Sequence, residues 1–287
     1  MVDLHAHTVF SDGLFTPEQL VVEARRRGLS AVGVADHDAV GGIKRAMVAG
    51  RQLGVEVVPA VELSCSVSGV DLHMLGYYVE FQDAELGAFV KDIRVHRAER
   101  GRLMVEKLQE LGLKVTMDQV RSLAKDAAIG RPHVAQAMVD AGAVPNVEEA
   151  FKRYIGYEGP AYVPKKKLSP LEGVEFIRQY GGVAVVAHPG TYGNDEAVYQ
   201  AIAAGVDGIE VWHPDHNANN VARYIEVAQK NHLLTTGGSD CHGGRKNGRI
   251  YLGEVRVPYE LLAAVKKLAQ ERRKDSRGQG TKESSDS

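Results

Sequence analysis

Cysteine is scarce in this 287-residue chain: Cys65 and Cys241 lie far apart and form no CxxC motif. Two isolated thiols argue against a disulfide framework and fit a reducing compartment. The sequence also lacks an apolar run of about 18 residues, the minimum for a membrane span. No basic and apolar signal segment precedes Asp3. We therefore expect a cytoplasmic protein without membrane association.

A surplus of positive charge is also missing, because the net charge is -2 and the pI is near 6.6. This balance argues against bulk attraction to duplex nucleic acid. A small anionic ligand held by local metal ions stays compatible with it. Hydrophobic residues make up 44% and charged residues 25% of the chain, which is the ordinary globular balance. No glycine-rich loop of the kind that cradles phosphate is present.

Apolar segments and helical patterns alternate at both ends of the chain. Helix starts are marked by Thr16-Pro17-Glu18-Gln19 and Ser169-Pro170-Leu171-Glu172, which both predict capping boxes with proline in the first turn. Seven predicted strands, each followed by helical material, favour a β/α barrel over an open sheet. These strands are predicted at residues 2–7, 31–35, 55–63, 71–79, 183–187, 208–212 and 233–236.

The middle of the chain breaks this alternation. Residues 83–164 show helical patterns without a strand signal, so we predict a helical subdomain inserted into the barrel and capping its active site. The barrel would then consist of 1–82 and 165–273. The polar tail at 274–287 lacks aromatic residues and is predicted to be disordered.

Histidine placement is the strongest signal in the sequence. Six of the eleven histidines fall on or at the end of predicted strands, and three carboxylates accompany them. In a β/α barrel, the ends of the strands assemble the active site. A single such histidine is commonly a satisfied polar residue, but nine ionisable groups at seven strand ends or adjoining loops would be costly to bury without a metal. The nine are His5, His7, Asp12, His37, Glu62, His73, His188, Asp240 and His242.

Nine ligands exceed the three or four that one zinc ion takes. Imidazole combined with carboxylate suits Mn, Fe or Zn better than Ca or Mg. We predict up to three divalent ions, with Glu62 closing the third strand and bridging two of them. Three ions carry a charge of +6 and the carboxylates remove three, so the surplus favours a bound hydroxide and a phosphate dianion.

Five motifs together resemble the PHP (polymerase and histidinol phosphatase) family. They are His5-x-His7-Thr8, Ser11-Asp12-Gly13, Asp36-His37-Asp38, His188-Pro189 and Gly238-Ser239-Asp240-x-His242. The resemblance implies a distorted seven-stranded (β/α)7 barrel holding two or three Mn, Fe or Zn ions. It also implies three ligand groups: His5, His7, Glu62 and Asp240; Glu62, His73 and His188; Asp12, His37 and His242.

Two stretches of the insert narrow the resemblance to a branch with nucleoside 3',5'-bisphosphate phosphatases, some of which trim short RNA from the 5' end. These stretches are Gly130-Arg131-Pro132-His133 and the segment 159–165. The resemblance implies that Arg131 and His133 bind a second phosphate, with Lys165 as a further contact. Alternatively, Arg131-Pro132-His133 opens a surface helix and Lys165 belongs to a solvated run of lysines.

The sequence therefore predicts a phosphoesterase that hydrolyses a terminal phosphate monoester with a metal-bridging hydroxide. The expected substrate is a nucleoside 3',5'-bisphosphate or the 5' end of a very short oligonucleotide. A histidinol-phosphate-type phosphatase is the main alternative, followed by a non-catalytic metal-stabilised module. His213 is open between a proton donor and a turn residue, whereas His96, His216 and His232 are expected at the surface. The sequence leaves the native metals, the general acid and the oligomeric state open.

Overall fold

The computed structural model describes residues 1–125, 129–164, 167–193, 195–244 and 248–280. Seven strands and ten α-helices form the framework within these residues, together with a π-helical turn at Phe151–Ile155. The strands are β1 (Val2–Ala6), β2 (Ala31–Val34), β3 (Glu56–Val67), β4 (Val70–Tyr77), β5 (Val183–Val186), β6 (Gly208–Trp212) and β7 (Leu234–Gly237). The helices are α1 (Pro17–Arg26), α2 (Ile43–Leu53), α3 (Ala84–Glu110), α4 (Met117–Ala124), α5 (Arg131–Asp140), α6 (Val147–Ala150), α7 (Pro170–Gln179), α8 (Asp195–Ala203), α9 (Ala218–Lys230) and α10 (Tyr259–Gly280).

The strands follow one another in sequence order in a single sheet, which confirms the predicted seven-stranded α/β barrel. The segment after β7 approaches β1 and nearly closes the sheet, since the His7 amide donates to the Cys241 carbonyl at 2.9 Å. Gly238 makes this approach possible: a Cβ atom there would lie 2.4 Å from the His5 amide nitrogen. The two ends of the candidate ligand set, on β1 and after β7, thereby become neighbours.

One connection differs from the expected strand–helix repeat. β3 passes directly into β4 through Ser68-Gly69, both at positive φ, and the two strands pair antiparallel. A two-residue turn leaves no room for a crossover helix, so β4 runs against β3 and β5. Glu62 consequently lies within β3 rather than closing it, and His73 lies within β4 rather than at a strand end.

Local sequence signals explain how the helices begin. The Thr16 hydroxyl accepts from the Gln19 amide at 3.2 Å and the Gln19 side chain accepts from the Thr16 amide at 2.8 Å. The same reciprocal pair forms between Ser169 and Glu172. Both predicted capping boxes are therefore confirmed, and each satisfies amides that the first helical turn would otherwise leave unpaired.

Two hydrophobic clusters build the barrel and a third lies in the insert. Alternate strand residues such as Leu4, Val58 and Val185 fill the barrel interior, and the opposite strand faces pack against the outer helices. Helices α3 to α6 share a separate cluster around Met104, Val134 and other buried residues. A separate core agrees with the predicted insert, whose boundaries at 83 and 164 we keep as a prediction.

The final helix extends into the region predicted as a tail. α10 continues to Gly280, so it includes residues 274–280 of that region, and residues 281–287 lie outside the described residues. Among the helices described here, none is both long and apolar enough to cross a membrane.

Candidate metal centre

The fold brings the nine predicted ligands together at one rim of the barrel. Three groups of side chains have ligand atoms within 4.8 Å of one another. The groups are His7, Asp12, His37 and His242; His5, His7, Glu62 and Asp240; and His37, Glu62 and His73. His188 joins the last group through its Nε2 atom, 3.0 Å from Oε1 of Glu62. The grouping resembles the expected division, except that His7 and His37 each belong to two groups.

Glu62 occupies the centre of this arrangement. Its side chain is fully buried, and its two carboxylate oxygens contact five imidazoles. Oε1 lies 2.9 Å from His73 and 3.0 Å from His188. Oε2 lies 3.1 Å from His37 and 3.2 Å from each of two further rings, those of His5 and His7. A carboxylate whose two oxygens face different histidine sets has the placement expected of a bridging ligand.

The donor atoms fit metal ions better than they fit each other. Oδ1 of Asp12 and Nδ1 of His37 are buried and make no hydrogen bond among the described residues. Both nevertheless have close partners, since Nε2 of His242 lies 3.2 Å from Asp12 and Oε2 of Glu62 lies 3.1 Å from His37. Buried polar atoms that approach without hydrogen-bond geometry are expected where several ligands converge on a cation.

The electrostatics of the cluster point the same way. Burial opposes ionisation of Glu62, but the imidazoles packed around it hold the pKa of that carboxyl well below its usual range. Burial lowers the pKa of His37 to about 3, so this imidazole stays neutral with a lone pair available for coordination. Against the effect of burial, nearby carboxylates such as Glu62 raise the pKa of His5 and His188, and that of His7 to about 10. Metal ions would bind these three imidazoles in exchange for protons.

Glu210 on β6 is a functional residue that the sequence reasoning missed. It is fully buried, with carboxylate oxygens 3.1 and 3.2 Å from Nδ1 of His5, and it accepts from the His188 amide at 2.8 Å. When Nδ1 of His5 donates to this carboxylate, Nε2 keeps its lone pair facing the ligand cluster. A carboxylate inside an apolar strand is costly to bury, and that signal would have identified it.

Replacing Glu210 by Gln tests this orienting role. The amide keeps the size of the side chain but lacks the charge that fixes the His5 tautomer, so we expect manganese affinity or kcat to fall about 10- to 100-fold. A manganese titration monitored by activity and by calorimetry measures both quantities. Glu226→Gln, on an exposed position of the following helix, is the matched control. An unchanged titration for Glu210→Gln would show that Glu210 does not orient His5.

A second buried carboxylate, Asp36, shapes the loop that carries Asp12. It accepts from the Thr8 amide, the Thr8 hydroxyl and the Ser11 hydroxyl, each at 2.7 Å. These bonds tie the loop after β1 to the end of β2. The motif Asp36-His37-Asp38 was noticed in the sequence, but its first member serves the loop rather than the ligand cluster.

Two further histidines follow β6 and are buried. His213 is buried, with Nε2 lying 3.8 Å from Oδ2 of Asp240. His216 was expected at the surface, and that expectation is wrong: it is also buried. Its Nδ1 donates to the Val211 carbonyl at 2.8 Å, and its Nε2 accepts from the Gly190 amide at 3.0 Å. His216 therefore fastens the loop that follows His188, a tertiary role that sequence spacing does not reveal.

Among the described residues, three of the seven non-glycine residues with positive φ lie at or beside the candidate ligands. Asp38, His188 and Asp240 have φ values of 45°, 25° and 48°, in a region that non-glycine residues rarely adopt. Each such residue costs about 1–3 kcal/mol and persists where the surrounding structure imposes it. The strained positions therefore mark the rim where several loops must aim their side chains at one point.

The predicted phosphate contacts lie beside this cluster. Arg131 and His133, at the start of α5, line a cavity of about 140 Å³ whose other wall includes His37 and His73. Arg131-Pro132-His133 does open α5, as the alternative held, although His133 is buried rather than exposed at the surface. Lys165 lies outside the described residues. Three cations that the sequence analysis did not single out as contacts, Arg97, Arg100 and Lys167, line the same cavity.

Comparisons with known proteins agree with this geometry. The PHP domain model matches residues 3–114. A 3',5'-nucleoside bisphosphate phosphatase of Chromobacterium violaceum is 32% identical over 254 residues, covering 86% of this chain and 89% of the relative. A 5'-3' exoribonuclease of Haemophilus influenzae is 29% identical over 245 residues, covering 84% and 89%.

A solved structure from Bifidobacterium adolescentis, itself assigned by inference as a metal-dependent phosphoesterase, superposes with a TM-score of 0.83. It is 33% identical, and the match covers 93% of this chain and 96% of the other. Identity above 30% over nearly the whole length extends the match well beyond the 3–114 segment. The chain thus belongs to the PHP family and is a metal-dependent phosphoesterase.

Proposed function

We propose that the protein hydrolyses a terminal phosphate monoester of a substrate with two phosphates, namely a nucleoside 3',5'-bisphosphate or the 5' end of a very short oligonucleotide. The nine clustered side chains would hold two or three Mn, Fe or Zn ions. Such ions supply Lewis acidity and charge neutralisation, and they lower the pKa of water. The donor set of imidazoles and carboxylates suits these metals.

A cluster of four cations beside the metal centre carries this proposal. Arg97, Arg100, Arg131 and Lys167 line the cavity that also contacts His37 and His73. Apart from Asp12, the described lining holds one carboxylate, Asp71, so positive charge is in surplus. A cavity that is continuous with a phosphate-hydrolysing centre and rich in arginine suits a second phosphate.

The cations of this cluster lie close enough together to affect the pKa of Arg100. Burial and the positive charge of Arg131, together with that of Arg97, lower the pKa of Arg100 to about 10. Arg100 is still protonated at neutral pH. Asp38 pairs with Arg97, and Asp71 lies near both Arg131 and Lys167, so these carboxylates neutralise part of the charge and leave some repulsion among the cations. A bound phosphate would reduce the repulsion among these cations. The cavity should therefore bind a charged ligand more tightly than a neutral one.

Arg131 is held ready for a planar contact. Its guanidinium lies 4.8, 5.5 and 5.9 Å from the ring centroids of Tyr157, Phe151 and Tyr162. Aromatic rings on several sides restrict the side chain, so less conformational entropy is lost on binding. Nδ1 of His133 accepts from the Gly130 amide at 3.1 Å, which puts the proton of the neutral ring on Nε2. Arg131 would bind the phosphate that stays on the product.

The two alternative functions fit the site less well. Histidinol phosphate carries one phosphate and a cationic amine, and four cations beside the metal centre would repel that amine. A non-catalytic metal-stabilised module would not require the full set of nine candidate ligands, yet all nine converge here. The cation cluster therefore favours the doubly phosphorylated substrate.

Phosphate release by the manganese-loaded enzyme tests the proposal. The substrates are adenosine 3',5'-bisphosphate, AMP, a 5'-phosphorylated trinucleotide and histidinol phosphate. We expect kcat/KM for the bisphosphate to exceed that for AMP by about 100-fold, the worth of a charge-assisted bidentate contact. Equal values for AMP and the bisphosphate would contradict the second phosphate site. Fastest turnover of histidinol phosphate would establish the alternative.

A further inference from the structure

A second, larger cavity opens next to the cation cluster. It has a volume of about 360 Å³ and lies between one face of α3 and the segment leading into α7. Its apolar lining residues are Phe89, Leu103, Val163, Pro164 and Leu168. This volume falls within the range of about 300–1,000 Å³ that small-molecule sites occupy.

The two cavities adjoin each other. Ser64, Arg97, Arg100 and Lys167 line both of them. The smaller cavity in turn shares His37 and His73 with the mouth of the metal centre. A ligand could therefore extend from the metal centre past the cation cluster into the apolar cavity without leaving the protein surface.

Hydrogen bonds hold the walls of this cavity in fixed positions. Nε of Arg100 donates to the Val163 carbonyl at 2.7 Å, and Nζ of Lys107 donates to the Tyr162 carbonyl at 2.9 Å. Arg97 donates to Asp38 at 2.5 Å at the inner end. Phe89 is fixed by a ring contact with Phe176, with centroids 4.1 Å apart. The shape is therefore built into the fold rather than left to flexible side chains.

The charges change sign along the cavity. Arg97, Arg100 and Lys167 line the end shared with the smaller cavity, where Asp38 pairs with Arg97. The exposed carboxylates Asp92, Glu99 and Glu172 line the rest. These carboxylates would repel a phosphate but can accept hydrogen bonds from amino groups. Aromatic and aliphatic walls combined with acceptors suit a planar, uncharged ring that carries N–H donors.

We propose that this α3 cavity binds the nucleobase of the substrate and so selects nucleotides over other sugar bisphosphates. This inference rests on the proposed function, because it assumes that the attached phosphates lie at the metal centre and the cation cluster. A nucleobase offers the flat ring and the exocyclic amino groups that the lining matches. The cavity is then the specificity element of the enzyme, and the metal centre is indifferent to the base.

Filling the cavity tests the proposal. Leu103 lines it from α3 and is 36% exposed, so Leu103→Trp places a large ring into the space without disturbing the buried core. The manganese-loaded enzyme is assayed with adenosine 3',5'-bisphosphate and with ribose 3,5-bisphosphate, which lacks the base. We expect wild type to prefer the nucleotide at least about tenfold in kcat/KM, and Leu103→Trp to reduce that preference towards unity.

Val95→Trp is the matched control, since Val95 is exposed on the same helix and does not line the cavity. It should retain the wild-type preference. Thermal melting shows whether either variant is misfolded, and Leu103→Phe adds a smaller ring to the cavity if the tryptophan is not tolerated. No preference in wild type, or a preference that survives Leu103→Trp, would overturn the base site.

Failure of the proposed function gives a different pattern, in which neither bisphosphate is hydrolysed but a generic aryl phosphate is. The base site is then decided with inhibitors of aryl phosphate hydrolysis. AMP should inhibit at least about tenfold more strongly than ribose 5-phosphate in wild type and Val95→Trp, but not in Leu103→Trp. Equal inhibition by the two compounds in wild type would refute the base site.

Discussion

Glu62→Gln is expected to lower kcat/KM for any phosphate ester by about 10³-fold or more, equivalent to about 4 kcal/mol of transition-state stabilisation. The reason lies in the five imidazoles around this one carboxylate, at 2.9 to 3.2 Å. An amide removes the negative charge and turns one of the two oxygens into an N–H donor. Ligands on both sides of Glu62 lose their shared partner.

Metal binding should change together with turnover. The metal content of the purified variant, measured by mass spectrometry, is expected to be lower than that of wild type. Manganese should raise the melting temperature of wild type, because an ion bound only to the folded state stabilises it. The same addition should have a smaller effect on Glu62→Gln.

Glu56→Gln supplies the control from the same strand. Glu56 begins β3, six residues before Glu62, and pairs with Tyr259 and Lys266 away from the ligand cluster. Its replacement should leave metal content and kcat unchanged. If Glu62→Gln kept its full metal content and activity, the bridging assignment would be refuted.

The ligand cluster was predictable because strands impose a simple geometry. Residues at spacing i, i+2 share a strand face, so His5 and His7 had to point together, and the carboxyl ends of parallel strands meet at one rim. Helix starts were also predictable, because a capping box is formed by residues that are close in the sequence. These features depend on neighbours in the sequence, and the sequence displays them directly.

Other features depend on contacts between distant segments. The β3–β4 hairpin, which turns at Ser68-Gly69, reverses one strand and moves Glu62 and His73 into strand interiors. The roles of Glu210 and His216 require knowing which loop packs against them.

The positions of Arg97 and Arg100 in the cavity were likewise not predictable from the sequence of helix α3. α3 carries charges of both signs along its length. Only the position of Val163, Pro164 and Leu168 opposite this helix distinguishes its cavity face from the solvated one.

Arg131→Ala is expected to lower kcat/KM for adenosine 3',5'-bisphosphate by about 100-fold and for AMP by less than about threefold. The guanidinium offers two parallel donors to the second phosphate, and AMP has no phosphate to occupy that place. A 100-fold loss in kcat/KM corresponds to about 2.7 kcal/mol, which is within the range for removing one partner of a buried charge pair. Initial rates at several concentrations of each substrate measure the difference.

Two further variants separate charge, geometry and folding. Arg131→Lys keeps the charge but loses the planar fork and the ring contacts, so an intermediate loss of about tenfold is expected. Arg121→Ala, at an exposed position of α4 in the same insert, should behave as wild type. Equal losses on AMP and the bisphosphate, with a lowered melting temperature, would mean that Arg131 supports the insert rather than the phosphate. Unchanged kinetics on both substrates would place the second phosphate elsewhere and leave the metal-dependent phosphoesterase activity itself untouched.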